Sequence, residues 1–542
     1  MQTTAAVFLD TLARAGVTHA FVNWGNDHPA FLEELERQRV ENGRTSLEIV
    51  TAPNEMVALS AAQGLAQVSG VPTLVIVHVD VGTQALAGAV HNVDRGRVPV
   101  IIFAGMSPHS GQGEMKGSKN EWPMWPQDVP DQAAIVRQYM RHTTQIMSGR
   151  NVSKTVMRAL QFAISEPQGP VYISARREVL EEELDPLATT NNVDLKKWPA
   201  ISPAALSPDA VTTIIDALAT AQFPLVLVGH SGRNPKTVPL LSALSHKLAL
   251  GLFGVGCSAL GVPYDHSHFL GMSFGGKNPL LPEADVLLLL DTEVPWIDAA
   301  GNAPQPGARV FVLDPDPLKQ TYGWSHVDAD LICRADPEVA LRQLLQAADT
   351  YADRAAAART PGRGQRVLWL NEGISNYPAV FDHIRPSVAG SMVCSGGSSL
   401  GWALGAAVGI GLGRGREYEL IVAIVGDGTY MFGVPSSVYW MARRYKAPFL
   451  TVILNNGGWA SPKNSMLGIY PTGLGSKASG DRLSTGFGPD MPDYAQIAAA
   501  AGGAWGRRVS DSSEVKDTFE EAIRVVLEEK RCAVVDCIVG SI

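Results

Sequence analysis

Short uninterrupted apolar runs recur along the chain, and between them apolar positions return every third or fourth residue. The first pattern suits strands buried on both faces; the second suits amphipathic helices. The runs fall into three groups. "PTLVIVHV" (72–79), "VPVIIFAG" (98–105) and "GPVYISA" (169–175) lie within 1–185. "FPLVLVG" (223–229), "ADVLLLLD" (284–291) and "ARVFVLD" (308–314) lie within 205–345. "LIVAIVG" (420–426), "FLTVILN" (449–455) and "CAVVDCIV" (532–539) lie within 365–542. Strand–helix alternation of this kind predicts parallel sheets. The expected fold is therefore α/β, with three doubly wound parallel-sheet domains. Two stretches read as linkers: 181–203 is polar and contains proline, and 347–366 is charged before it breaks at Pro-Gly-Arg-Gly. Met1 to Ala20 reads as an amphipathic helix.

Composition narrows the class. A chain of 542 residues exceeds what one core serves, and 46% apolar with 18% charged residues suits a globular enzyme. The net charge is −9 and no long basic run occurs, which argues against nucleic acid as the main partner. No apolar run reaches the ~18–20 residues of a membrane span. Asp10 and Arg14 interrupt the N-terminal pattern, so no signal peptide is expected. The five cysteines form no CxxC. They predict reduced thiols in a cytoplasmic protein rather than a zinc site or a disulfide framework.

The candidate chemistry lies in "LIVAIVGDGTYMFGVPSSVYWMARRYKAPFLTVILNNGGWASP", Leu420 to Pro462. One apolar strand ends on Gly426-Asp427-Gly428, and the next ends on Asn455-Asn456. Ligands bind at the carboxyl ends of parallel strands. The glycines let the backbone turn sharply beside Asp427, and a helix is expected from about Pro435 and Ser436. A carboxylate, an amide oxygen and a nearby carbonyl are hard ligands suited to Mg²⁺, with phosphate oxygens completing its shell. The exposed N–H groups of the glycine turn suit a diphosphate. Gly-Asp-Gly alone also fits an ordinary strand-to-helix turn; Asn-Asn at the end of the next strand favours a site.

Gly-Asp-Gly, some two dozen residues and then Asn-Asn resembles the motif of the thiamine diphosphate-dependent decarboxylase and acetolactate synthase family. The resemblance covers the whole chain. It implies a pyrimidine-binding domain (1–185), a central domain (205–345) and a diphosphate-binding domain (365–542). It implies Mg²⁺ held by Asp427, Asn456 and the carbonyl of Gly458, with Gly428 and Thr429 at the diphosphate. In the first domain "TAPNEMVALSAAQGLAQVSG" (51–70) supplies Glu55, placed to protonate the aminopyrimidine N1′ so that the 4′-imino group takes the thiazolium C2 proton. Read alone, Glu55 is equally a first-turn acid favoured by the helix dipole. "SGGSSLGWALGAAVGIGLG" (395–413) resembles the segment that bends the cofactor, with Leu400 as the wedge and the carbonyl of Ser398 facing the 4′-amine. "LNEGISNYP" (370–378) resembles a strand end at the diphosphate and makes Ser375 a contact. "GIGLGRG" (409–415) follows a helix pattern rather than a strand, so it is no dinucleotide loop.

Substrate residues follow the same resemblance. His78 ends a strand before a Gly-Thr turn, where benzoylformate decarboxylases of the family carry a histidine that shuttles protons. The alternative is a strand-end histidine bonded to a carbonyl. Asn26, with Asp27 and His28 beside it, occupies the place of a polar residue over the substrate; Asn-Asp-His-Pro is also a helix N-cap sequence. "DTEVPWIDAAG" (291–301) has Trp296 and Asp298 but no second histidine, a departure from benzoylformate decarboxylases. The Gly/Pro-rich stretch 105–132, with His109, Trp122 and Trp125, reads either as an aromatic wall to the pocket or as a dimer contact. The expected activity is Mg²⁺-dependent, non-oxidative decarboxylation of a 2-oxo acid, with acyloin carboligase or lyase activity on aldehydes through the same chemistry. An acetolactate synthase-like carboligase and a non-catalytic cofactor-binding homologue are the alternatives. The resemblance further implies a homodimer or homotetramer with active sites between subunits.

Overall fold

The computed structural model describes residues 2–185, 193–256, 258–274, 278–323, 327–351, 366–415, 417–488 and 490–540. Residues 186–192 of the first expected linker, 352–365 of the second, and Cys257 fall outside them. The chain divides into two compact units, one formed by 1–201 with 397–542 and one by 202–396.

In the first unit, six parallel strands form one sheet: β1 (His19–Val22), β2 (Glu48–Thr51), β3 (Thr73–Val77), β4 (Val100–Met106), β5 (His142–Ile146) and β6 (Val171–Arg176). Their order is β2-β1-β3-β4-β6-β5. The chain leaves β1 toward β2 and returns to the other side as β3, so the topological switch point lies between β1 and β3. Crevices that take ligands open there, past the strand ends. The N-terminal helix runs only from Thr4 to Arg14, because Thr3 caps it and β1 begins at His19. The expected single helix to Ala20 is therefore too long.

The second unit holds β7 (Pro224–Val228), β8 (Gly251–Val255), β9 (Phe269–Ser273), β10 (Val286–Leu290), β11 (Arg309–Asp314) and β12 (Leu331–Arg334). They form a parallel sheet of order β9-β8-β7-β10-β11-β12. The pair β13 (Val367–Glu372) and β14 (Met392–Val393) is also parallel. The first unit then resumes with β15 (Leu420–Gly426), β16 (Leu450–Asn455), β17 (Trp505–Val509) and β18 (Ala533–Ile538), ordered β15-β16-β18-β17. The last four strands of the first sheet have this same order. All nine apolar runs read from the sequence lie on strands of these parallel sheets.

Three helices position the site. Helix α1 (Glu55–Ser69) follows β2, with the Asn54 side chain accepting from Val57 N at 3.1 Å. Helix α2 (Val79–Arg95) follows β3, and α3 (Trp402–Arg414) precedes β15. Helices α1 and α3 meet at backbone distance. A Cβ on Gly64 would stand 2.6 Å from Ala406 Cα, and one on Gly409 would stand 1.9 Å from Ala61 O. Glycine is required at both places because any side chain there would occupy the partner helix. Among the described residues, no helix is long and apolar enough to cross a membrane.

Candidate active site

Two clusters form at strand ends of the first unit. The first sits at the switch point. Leaving β1, the chain turns through Gly25, whose N–H donates to His28 Nδ1 at 3.0 Å, and Pro29 opens the next helix. His28 is the N-cap residue of that helix but makes no side-chain cap bond. Asp27 turns away from it. Its Oδ1 lies 2.5 Å from His78 Nδ1, and its Oδ2 accepts from Val79 N at 3.3 Å, at the start of α2. The N-cap reading of Asn-Asp-His-Pro thus holds in place but not in bonding. His28 Nε2 stands 3.3 Å from Asp27 Oδ2. Both Asp27 and His28 are fully buried.

Electrostatics follow from this arrangement. Burial would raise the Asp27 pKa, but the nearby histidines His28 and His78 overcome it and hold the carboxyl below its usual range. Burial pushes His28 down, only partly offset by Asp27. Burial works against charge on His78 as well; the bond to Asp27 and the charges of Asp27, Asp80 and Glu55 outweigh it and raise its pKa. Glu55 opens α1, half-buried, and burial raises its pKa while His78 lowers it. A Cβ on Gly82, in the first turns of α2, would lie 3.5 Å from Glu55 Oε1. Glu55 and His78, assigned separately from the sequence, thus share one cluster.

The Gly/Pro-rich stretch closes over it. Gln127 Nε2 is 3.2 Å from His78 Nε2, and Asn26 donates to Glu121 at 2.9 Å. The indoles of Trp122 and Trp125 are exposed, and Lys119 Nζ stands 5.2 Å from the Trp125 ring centre. The sequence pointed to those indoles; the two residues that reach the cluster are polar ones beside them.

The second cluster follows β15 and β16. Pro435 opens a helix where one was expected, and a short helix not read from the sequence begins at Asp427 itself (Asp427–Phe432). Asp427 is buried; Gly428 N donates to its Oδ1 at 2.9 Å, and among the described residues its Oδ2 has no hydrogen-bond partner. Burial pushes its pKa up, against the backbone N–H groups of Gly428, Gly458 and Gly457. The two asparagines have different jobs. Asn455 donates to Asp536 Oδ1 at 2.9 Å, tying β16 to β18. The Asn456 amide faces Asp427 Oδ1 at 3.3 Å and Gly458 O at 2.7 Å. With its oxygen toward them it makes an all-oxygen corner that only a cation would hold; turned over, its N–H₂ donates to both. Together with the orphaned Oδ2, this donor set fits Mg²⁺.

Gly457 and Gly458 have φ of +83° and +151°, which turns the chain back at this corner. Gly426 is half-buried and Thr429 buried, one before and two after the carboxylate. Two neighbours were not read from the sequence. Trp459 Nε1 would stand 2.6 Å from a Cβ on Gly428, and Trp459 N donates to Thr485 O at 2.8 Å. Phe487 packs edge-on against that indole at 5.1 Å. No periodicity marks the 479–491 stretch that supplies Phe487.

Ser398 and Leu400 lie between the clusters in sequence. Ser398 is exposed, with its hydroxyl 3.2 Å from His91 Nε2, and Leu400 is half-buried. Asn92 exchanges two hydrogen bonds with Ser399, at 2.8 and 3.1 Å, which seats this segment on α2. Ser375 is exposed in a 3₁₀ turn, Ile374–Asn376, of the 202–396 unit. In that unit Trp296 and Asp298 line a cavity of about 700 Å³ together with Glu293 and Tyr322. Among the described residues, no hydrogen bond or ion pair joins Glu55 or His78 to Asp427 or Asn456.

Comparison with known proteins agrees on both halves. Residues 2–135 match the thiamine pyrophosphate enzyme N-terminal TPP binding domain, and residues 374–537 match the corresponding C-terminal TPP binding domain. An acetolactate synthase of Bacillus subtilis is 23% identical, over 96% of this chain and 90% of the relative. A benzoylformate decarboxylase of Pseudomonas aeruginosa is 23% identical, over 85% of this chain and 87% of the relative. The solved thiamine diphosphate-dependent 4-hydroxybenzoylformate decarboxylase of Rhodococcus jostii superposes with a TM-score of 0.79 at 21% identity, covering 100% of this chain and 99% of that one. Benzoylformate decarboxylase from Polynucleobacter necessarius gives 0.81 at 20% identity, over 100% and 99%.

Proposed function

The chain belongs to the thiamine pyrophosphate enzyme family, whose members here include decarboxylases and carboligases, and from that premise we propose that it decarboxylates a 2-oxo acid without oxidation. The observation that carries the reading is a histidine held by a buried carboxylate beside Glu55, at the switch-point crevice. Thiamine diphosphate supplies, when bound, the carbon nucleophile and the electron sink that carboxylate loss needs.

The chain's own groups do the rest. Asp427, Asn456 and the Gly458 carbonyl hold Mg²⁺, and the N–H groups around Gly428 and Thr429 receive the diphosphate. Ser375 adds a contact to it, while Leu400 and the Ser398 carbonyl fix the ring orientation. Glu55 keeps a proton at the aminopyrimidine N1′. His78 Nε2 gives a proton to, and takes one from, the substrate's reacting carbon and oxygen, and Asn26 holds its carboxylate or carbonyl. The protein works in the cytoplasm, as a homodimer or homotetramer in which Glu55 of one chain meets Asp427 of another. An acetolactate synthase-like carboligase is the second reading, favoured by the B. subtilis relative matched over 96% of the chain. A cofactor-binding homologue without turnover would have no use for Glu55 beside His78.

The test is CO₂ release from a panel of aliphatic and aromatic 2-oxo acids with thiamine diphosphate and Mg²⁺. His78→Ala is expected to lower turnover about 10²–10³-fold, the loss of one general acid–base group, with cofactor affinity unchanged. Wild-type turnover in that variant would move the carboligase ahead. The shared site has its own check. Glu55→Gln chains mixed with Asp427→Ala chains regain part of the activity once subunits exchange, and no recovery after proven exchange would count against it.

A further inference from the structure

Asp27 has no role in the reading above, yet the fold is shaped around it. A Cβ on Gly105, in β4, would lie 1.7 Å from Asp27 Oδ2, and a Cβ on Gly25 would lie 2.0 Å from His78 Nδ1. Two glycines on different elements thus clear the space in which this carboxylate meets this ring. Two groups aim N–H at it, His78 Nδ1 at 2.5 Å and Val79 N at 3.3 Å, while His28 Nε2 stands 3.3 Å from Oδ2 without a hydrogen bond to it. Gly25 N–H occupies His28 Nδ1, which leaves the proton of a neutral His28 on Nε2.

We propose that Asp27 is the positioning residue of His78: it fixes a proton on Nδ1 and leaves Nε2 as the atom that gives and takes protons in the pocket. An ionised carboxylate only accepts, so the ring nitrogen against it must carry hydrogen in both charge states. Gln127 suits the remaining nitrogen. Its amide, 3.2 Å from Nε2, donates to the bare nitrogen and, turned over, accepts from the protonated one. The ring therefore changes charge at one atom without rotating. A buried carboxylate behind a histidine does the same in hydrolase triads, where the amide variant leaves the geometry but imposes the wrong tautomer. The inference rests on the proposed proton-transfer role of His78.

The pH sign follows. His78 is raised above the ordinary histidine value by Asp27, with Asp80 and Glu55 adding to it. The pair's contribution to stability is complete below about pH 6.5, the unperturbed value, and is lost as pH rises through the raised one. Removing the Asp27 charge moves the titration of His78 to lower pH, and the limb of the turnover profile that needs the imidazolium moves with it.

The experiment compares wild type, Asp27→Asn and Gly105→Ala, each loaded with thiamine diphosphate and Mg²⁺. ¹⁵N-histidine spectra are assigned with His78→Gln, and turnover is profiled against pH. Asp27→Asn is expected to shift the His78 proton from Nδ1 to Nε2, lower its midpoint, and cut turnover about 10²–10⁴-fold, with 10⁴ the known cost in a triad. Gly105→Ala, which displaces the carboxylate and keeps its charge, should move the same signals less; it serves if Asp27→Asn does not fold. Retention of the Nδ1 proton and of the midpoint in Asp27→Asn would overturn the proposal. So would an unmoved pH profile with only a lower melting temperature, which would make the pair structural. If wild type turned over no 2-oxo acid, the function reading would fall, and the spectra would still decide the pairing.

Discussion

Asp427→Ala abolishes Mg²⁺-dependent binding of thiamine diphosphate and leaves the protein folded. The carboxylate is the one charged oxygen in the corner it forms with Asn456 and Gly458. Without it, a dication between two neutral oxygens and a diphosphate is short of negative charge on the protein side. The loss should exceed the 10–100-fold typical of removing a mere second partner behind a metal ligand. Folding is spared because burial already disfavours the Asp427 charge, so an apolar replacement relieves a cost. Calorimetric titration with thiamine diphosphate, with and without Mg²⁺, reads the result. Wild-type affinity in the variant would take the metal site away from this strand end.

Glu55→Gln binds the cofactor and is catalytically crippled. Gln matches Glu in shape, so α1 and its contact with α2 persist, and the diphosphate is anchored by other residues. The amide cannot place a proton on N1′, and exchange of the thiazolium C2 proton should slow by about 10²–10⁴-fold, the range for a general acid–base group. Turnover should fall with it. Hydrogen–deuterium exchange at C2, followed by NMR, separates this from a substrate effect. Unchanged exchange would remove Glu55 from the mechanism.

Three of the strands that the sequence hid share a position that the revealed ones do not. The continuous apolar runs became central strands or their neighbours, buried on both faces. Strands β5 (HTTQI), β12 (LICR) and β17 (WGRRV) read as polar or mixed, and each is a sheet edge with one side open to solvent. An edge strand needs no unbroken apolar run. Asp427, Asn456, Glu55 and His78 were legible because strand-to-helix turns put motif residues at predictable ends. What Asn455, Asp27 and Gln127 do was not. Their partners, Asp536, His78 and again His78, lie 81, 51 and 49 residues away, and no local spacing encodes such a pairing. Asp27 did leave one signal: it sits in a run of three polar residues, Asn26-Asp27-His28, that follows the Asn-Trp-Gly turn after a buried strand.

Helices α1 and α3 touch through glycine, with no layer of side chains between them. About 330 residues separate the end of one from the start of the other. On the ribosome, at roughly 5–20 residues per second, α1 therefore spends on the order of 20 to 70 seconds with its small-residue face bare before its partner is synthesised. The first unit cannot close during that time, since it takes both ends of the chain, whereas the 202–396 segment is already complete when α3 emerges. Synthesis thus finishes the middle of the molecule first and leaves the cofactor-binding halves to be joined last, by a contact with no room for an added methyl group.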